Sequence, residues 1–358
     1  NPFVAFGFLS ALEDSGSGAD RTGWLVRHAV LRAPDGTIAA LAPLYGKSHS
    51  WGEYVFDQSW ARAYEAAGGR YYPKFVCAVP FSPVPGPRLL LRSDLPDPKG
   101  VAQALASALI QATAQLRLSS LHANFCDAAS MEAFTEAGYL PRTGIQYHWQ
   151  NNGYATFDDF LAALASRKRK SIRKERSAAQ SCGLTFSTLR GDQIDPEDWK
   201  AFYRFYQSTI DRKWGSAYLT ERFFPMLSER LGDRVVLMMA HHDGKAVAGA
   251  LNLMGTDALF GRNWGCEGDW PFLHFELCYY RAIDFAIEHG LSRVEAGAQG
   301  EHKIQRGYLP TFTHSAHAIL DPGLRQAVAA FVEEERTAMQ AEAAELETLS
   351  PYRHGESG

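Results

Sequence analysis

The sequence lacks most of the features that would place it quickly. No apolar run among its 358 residues reaches the roughly 18 that a membrane-spanning helix requires, so no transmembrane segment is expected. Cysteine is scarce: Cys77, Cys126, Cys182, Cys266 and Cys278 are scattered, odd in number and form no C-x-x-C pair. That spacing excludes a disulfide framework and a zinc knuckle. It fits a reducing compartment, and a cytoplasmic location is the expectation. His314 and His317 find no third ligand at a recognisable spacing, so no metal site is expected. The formal charge is only −4, which argues against general coating of nucleic acid and leaves DNA out of the expected partners. Patterns for a serine nucleophile elbow, a zinc-protease helix, a phosphate-binding P-loop and a dinucleotide fold are missing too.

What is present reads as a folded α/β chain. Apolar residues make up 46% and charged residues 21%, which is globular, and the length suits two domains. Apolar runs flank Pro34-Asp35-Gly36 and again His242-Asp243-Gly244, two hairpin signals, because Asp-Gly tolerates the positive φ of a tight turn. Strand-like and helix-like stretches alternate after each hairpin. Asn151-Asn152-Gly153 marks a boundary, giving expected domains of residues 1–150 and 151–358. The second opens with a long basic helix over 157–180, stopped by Gly183, and closes with an acidic helix over 324–349. The halves also echo each other. Residues 33–42 resemble residues 241–250, and Gly138-Tyr139-Leu140-Pro141 recurs as Gly307-Tyr308-Leu309-Pro310. Two matches in the same order point to duplication.

Titratable and hydrogen-bonding side chains concentrate between Asn263 and Pro310. Chemistry is therefore expected in the second copy, or at the seam between copies. Glu276, near a helix start and followed by Tyr279 and Tyr280, is a candidate proton acceptor or simply a residue answering the helix dipole. Glu295 lies in the apolar strand Arg293-Val294-Glu295-Ala296, where a carboxylate is costly unless paired or used. Lys303 and Arg306 follow a glycine at i, i+3 spacing and could hold phosphate or an oxyanion, or be solvated. His302 is a candidate base and Gln299 an amide clamp. Arg167, Lys168, Arg169, Lys170, Arg173, Lys174 and Arg176 make the basic helix a candidate phosphate binder or a solvated face.

Several motifs together resemble a known family. They are Ser166-Arg167-Lys168-Arg169-Lys170, Lys213-Trp214-Gly215 with Tyr218-Leu219-Thr220, Asn263-Trp264-Gly265-Cys266, His274-Phe275-Glu276-Leu277-Cys278-Tyr279-Tyr280, and Glu295-Ala296-Gly297-Ala298-Gln299-Gly300-Glu301-His302-Lys303. With the tandem pattern they resemble the FemAB-like peptidoglycan biosynthesis/recognition proteins, relatives of the Fem-type aminoacyltransferases in the GNAT N-acyltransferase superfamily. The resemblance covers nearly the whole chain. It implies an α/β fold of tandem GNAT-like (acyl-CoA N-acyltransferase) domains, each a mixed sheet flanked by helices. It implies N-acyl or aminoacyl transfer to an amine on a cell-envelope or other phosphate-bearing acceptor, or, as an alternative, recognition of such a precursor without turnover. It gives Lys303 and Arg173 roles at the reacting acyl group and at substrate phosphate. Its motifs add Lys213, Trp214, Tyr218, Asn263, Trp264 and His274 as candidate substrate contacts. No tightly bound cofactor is implied. The turn Gly268-Asp269-Trp270-Pro271 is acidic and has one glycine, unlike a pyrophosphate-binding turn, so the donor stays open between acyl-CoA and aminoacyl-tRNA.

Overall fold

The computed structural model describes residues 1–212, 217–297 and 300–353. Along the first half run α1 (Phe6–Asp14), β1 (Leu25–Val26), β2 (Ala29–Arg32), β3 (Ile38–Ala42), β4 (Leu44–Lys47), α2 (Gln58–Ala66), β5 (Lys74–Cys77), β6 (Leu90–Leu91), α3 (Pro98–Gln115), β7 (Ser120–Cys126), α4 (Ala128–Glu136) and β8 (Leu140–Gln150). The second half continues with α5 (Phe157–Ala163), α6 (Ser166–Gln180), β9 (Leu184–Arg190), α7 (Pro196–Arg212), α8 (Phe223–Leu231), β10 (Val235–His242), β11 (Lys245–Met254) and β12 (Ala258–Cys266). Then follow α9 (Leu273–Phe275), a π-helical stretch (Glu276–Tyr280), α10 (Arg281–Glu288), β13 (Arg293–Glu295), a 3-10 turn (Glu301–Arg306), β14 (Leu309–Ile319) and α11 (Pro322–Thr348). No helix among the described residues is long and apolar enough to cross a membrane.

The chain forms two compact units, and neither is contiguous in sequence. One gathers residues 1–17, 146–311 and 343–358, the other residues 18–145 and 312–342. This departs from the expected division at residue 150. The reason lies in the last strand of each half. β8 pairs antiparallel with β13 of the later half, and β14 pairs antiparallel with β7 of the earlier half. In the unit holding most of the later half, the strand order is β8-β13-β12-β11-β10-β9. In the other unit, β1-β4-β5-β7-β14 form the main sheet and β2-β3-β6 a smaller one. Each main sheet contains one parallel pair, β12 with β13 and β5 with β7, bridged by a helical crossover as parallel strands require. These are the mixed, helix-flanked sheets of a tandem GNAT-like fold.

Local chemistry sets several boundaries. Asp243 and Gly244 both take positive φ, 49° and 75°, which turns β10 tightly into β11. Gly183 ends the basic helix at φ 70°. That helix is shorter than expected, because the segment 157–180 is two helices. Leu164 is extended and bridges to Tyr352, and Ala165 N–H donates to Pro351 O at 2.9 Å. The break diverts backbone bonds that a continuous helix would have used. The two Gly-Tyr-Leu-Pro copies fold alike. Gly138 and Gly307 both sit at φ 90°, and each tyrosine is buried. Tyr139 donates to Ala106 O at 3.0 Å and Tyr308 to Tyr279 O at 3.2 Å. Each leucine then starts an 11-residue strand.

Tyr139→Phe and Tyr308→Phe should each cost about 1–2 kcal/mol, because a buried carbonyl loses its donor. Urea unfolding of the two variants tests this. Equal stability to the parent would mean that the carbonyls find other donors.

Candidate active site

The site is built where two parallel strands part. β12 and β13 pair only at Ala258↔Arg293, Leu259↔Val294 and Phe260↔Glu295. β13 ends there, while β12 runs on to Cys266, carrying Asn263 and Trp264 past the end of the pairing. Glu295 is thus the last paired residue at the opening. On its other side β8 supplies Gln150↔Arg293, Trp149↔Val294 and His148↔Glu295. Strand alternation then fixes which side chains share a face. Trp149 and Val294 enter the apolar core with Leu259 and Phe160, and Glu295 sits beside His148.

Glu295 is 5% exposed. Its Oε1 accepts from Arg293 Nε at 2.9 Å, and its Oε2 has no hydrogen-bond partner. Burial pushes its pKa up to about 7, against the pull of the Arg293 guanidinium. His148 Nε2 lies 3.9 Å from that free oxygen and 3.2 Å from Gln146 Oε1. Burial and the Arg293 and Lys303 charges hold His148 down to about 3, so the imidazole is neutral at ordinary pH. Lys303 is 3% exposed and donates to Gly297 O at 2.9 Å. Burial lowers its pKa to about 8. Glu295 and Lys303, which is tied to Gly297 O two residues further on, are thus two buried groups whose pKa values burial moves toward neutrality, a pattern that acid–base chemistry uses.

The other candidates divide clearly. Asn263 Oδ1 is buried without a partner. The Trp264 and His274 rings lie 5.2 Å apart, as do those of His274 and Tyr279. His302 Nε2 lies 2.9 Å from the Tyr279 hydroxyl, and burial with the Arg306 and Lys303 charges lowers its pKa. These rings form one group drawn from β12, α9, the π-helical stretch and the 3-10 turn. Tyr218 is edge-on to Tyr206 at 6.1 Å. Lys213, Trp214 and Gln299 lie outside the described residues.

Three of the candidates are engaged in ion pairs. Glu276, read as a candidate proton acceptor, is fully buried and serves as a counter-ion. Arg176 reaches both its oxygens at 3.1 Å, and Arg281 Nε lies 3.2 Å from Oε1. Arg306, read as a phosphate ligand, pairs with Glu175 at 3.0 and 3.1 Å, donates to His302 O and covers the Phe275 ring at 3.5 Å. It shapes the 3-10 turn that carries Lys303. Arg173 pairs with Asp158 at 3.0 Å on an exposed surface. The basic helix is thereby split by function. Arg176 anchors it to the π-helical stretch, Lys168 bonds Gln305, and Arg167, Lys170 and Lys174 face solvent at i, i+3, i+7 spacing. Sequence reading missed His148 and Gln146, because only the register of β8 against β13 brings them to Glu295.

Two GNAT-like units define the class of fold. A family model described as peptidoglycan biosynthesis/recognition, FemAB-like, matches residues 1–354. The chain belongs to that FemAB-like family. No curated protein matches it. Among solved structures it is similar to FemX, at 12% identity over 88% of this chain and 93% of that one, with a TM-score of 0.53. It is similar also to L-PGS from Bacillus licheniformis, at 10% identity over 90% and 95% of the two chains, with a TM-score of 0.54. At these identities the likeness is one of fold.

Glu276→Gln should destabilise the protein by about 3 kcal/mol, because two guanidiniums lose their buried counter-charge. Chemical denaturation measures the loss. A stable variant with abolished activity would instead return Glu276 to the role of proton acceptor.

Proposed function

We propose that the protein transfers an acyl or aminoacyl group to the amine of a peptidoglycan-precursor-like acceptor. The observation that carries this reading is the free Oε2 of Glu295, on a carboxyl whose pKa burial pushes up to about 7, with a buried lysine bonded to Gly297 O two residues further on. Membership of the FemAB-like family supports the cell-envelope acceptor. The amine nitrogen attacks the acyl carbonyl, and Glu295 takes the proton that the nitrogen sheds. Lys303, as an ammonium, donates to the carbonyl oxygen as it gains negative charge. When the tetrahedral centre collapses, its bond to the donor oxygen or sulfur breaks, and Glu295 returns the proton to that leaving group. Neutral His148, beside Glu295 Oε2, adds no competing charge.

The donor is an activated ester or thioester, aminoacyl-tRNA or acyl-CoA. Its phosphates are assigned to the solvent-facing cations of α6, Arg167, Lys170 and Lys174. Asn263, Trp264, His274 and His302 border the acyl group in this reading, and a cytoplasmic location follows from the donor. A thermal-shift comparison of acyl-CoA, aminoacyl-tRNA mimics and nucleotide-linked muropeptides selects between donors, because a ligand of the native state raises the melting temperature.

The pH dependence is specific. Turnover should rise as Glu295 loses its proton through about 7 and fall as Lys303 loses its proton through about 8, a narrow bell. Lys303→Arg should keep activity and lose the alkaline limb, because a guanidinium stays charged. Lys303→Ala should lower turnover at least about 100-fold. Unchanged turnover in Lys303→Ala would remove this residue from the mechanism. Precursor binding with no turnover by the parent would favour recognition alone.

A further inference from the structure

A cavity of about 290 Å³ is lined by none of the residues assigned to acyl transfer. It lies in the unit that holds most of the later half, where the chain leaves a 3-10 turn (Gly191–Gln193) for α7 and where α8 packs beside α7. Aromatic rings fill the space between these two helices. Trp199 stacks on Phe224 with ring centres 5.8 Å apart, and Phe202 meets the same ring edge-on at 5.4 Å. Beyond Trp199 the filling stops, because the remaining apolar lining is Ile194, Pro196 and Pro225. The two prolines have closed rings and cannot swing a side chain across the gap. Ile194 and Trp199 are buried and make the floor, whereas Pro196 and Pro225 are exposed and stand at the mouth.

The polar part of the lining is Lys200, Glu221 and Ser228. Lys200 Nζ donates to Glu197 Oε1 at 2.7 Å, so its charge is met within α7. The Ser228 hydroxyl donates to Gly191 O at 3.3 Å, which uses its proton and leaves its oxygen able to accept. Glu221 is exposed, and among the described residues its carboxylate makes no hydrogen bond or ion pair. The open groups at the mouth are therefore acceptors. The surrounding charge has the same sign: residues 191–200 and 221–230 carry six acidic side chains against three basic ones.

Shape and charge together name the ligand class. Apolar walls favour an apolar body, which leaves water on entering. Acceptors with an unmatched negative charge favour a positive donor, and an ammonium has three N–H bonds and accepts nothing. An anion would meet Glu221 and the surplus acidic charge around it. We propose that this cavity binds a small apolar primary amine, its ammonium at Glu221 and Ser228 and its hydrocarbon part against Trp199 and Ile194. The volume equals that of about ten water molecules, which suits one ring on a short chain. The assignment does not rest on acyl transfer, and its test reads binding alone.

Isothermal titration of the full chain with phenethylamine should give saturable binding, with a Kd of about 1 mM or tighter. Added salt should weaken it, because the ammonium is held at an exposed carboxylate. 3-Phenylpropionate, a similar body ending in a carboxylate, should not bind. Glu221→Gln should weaken the amine about fivefold at the parent's melting temperature, because this carboxylate has no protein partner to lose. Ser228→Phe should abolish binding by filling the cavity. Absence of saturable binding by the parent, or unchanged affinity in Glu221→Gln and in a folded Ser228→Phe, would overturn the proposal. Equal binding of 3-phenylpropionate would overturn the assignment of a positive ligand.

Discussion

The parting of β12 from β13 governs the candidate site. A parallel pair that ended together would close the sheet and leave Glu295 as a buried carboxylate with no use. Here the pairing stops at Phe260↔Glu295 while β12 continues, so the carboxyl sits where the parallel pairing ends. Lys303 donates to Gly297 O, two residues after Glu295. Everything else near the site either holds this geometry or tunes its protons. Arg306 and Glu175 shape the 3-10 turn that carries Lys303, and His148 and Gln146 border Glu295.

Buried charge is handled in two ways. Around Glu276 it is closed, with a carboxylate met by two guanidiniums and a shared tie from Arg176 to Asp284. Such clusters hold one arrangement, because losing any member strands the rest. Around Glu295 the pairing is incomplete, and one oxygen is left over. A fully satisfied carboxylate has little to offer a substrate, whereas an unsatisfied one carries a standing cost that a reacting amine or a ligand can relieve. The contrast is why the proposed reading places the proton transfer on Glu295 and not on Glu276.

Much of the fold was legible because it rests on local chemistry. The Asp-Gly hairpins, the glycine stop at Gly183 and the repeated Gly-Tyr-Leu-Pro turn all read directly from sequence and recur in the structure. What failed to show depended on distant partners. The break at Leu164 answers Tyr352, and His148 reaches Glu295 only through strand register. Arg306 and Glu276 read as reactive because their partners Glu175 and Arg176 lie a hundred residues or more away in sequence. Lys47 and Lys74 drew no notice at all, since isolated lysines in short strands look like edge positions. Only their register against each other and the carboxylates of residues 48–57 reveals them as buried charges.

The reciprocal pairing of β8 and β14 also sets an order for synthesis. A chain emerging from the ribosome has β8 in hand when β13 appears, so the sheet around the candidate site can close at once. β7 has no such luck: its antiparallel partner β14 arrives about 190 residues later, roughly ten to forty seconds at ordinary elongation rates. During that interval one edge of β7 presents unmet N–H and C=O groups, the kind of edge that recruits foreign strands. The main sheet of the earlier-made unit is thus the later of the two to close. Its exposure to misassembly is set by how fast the ribosome reaches residue 319.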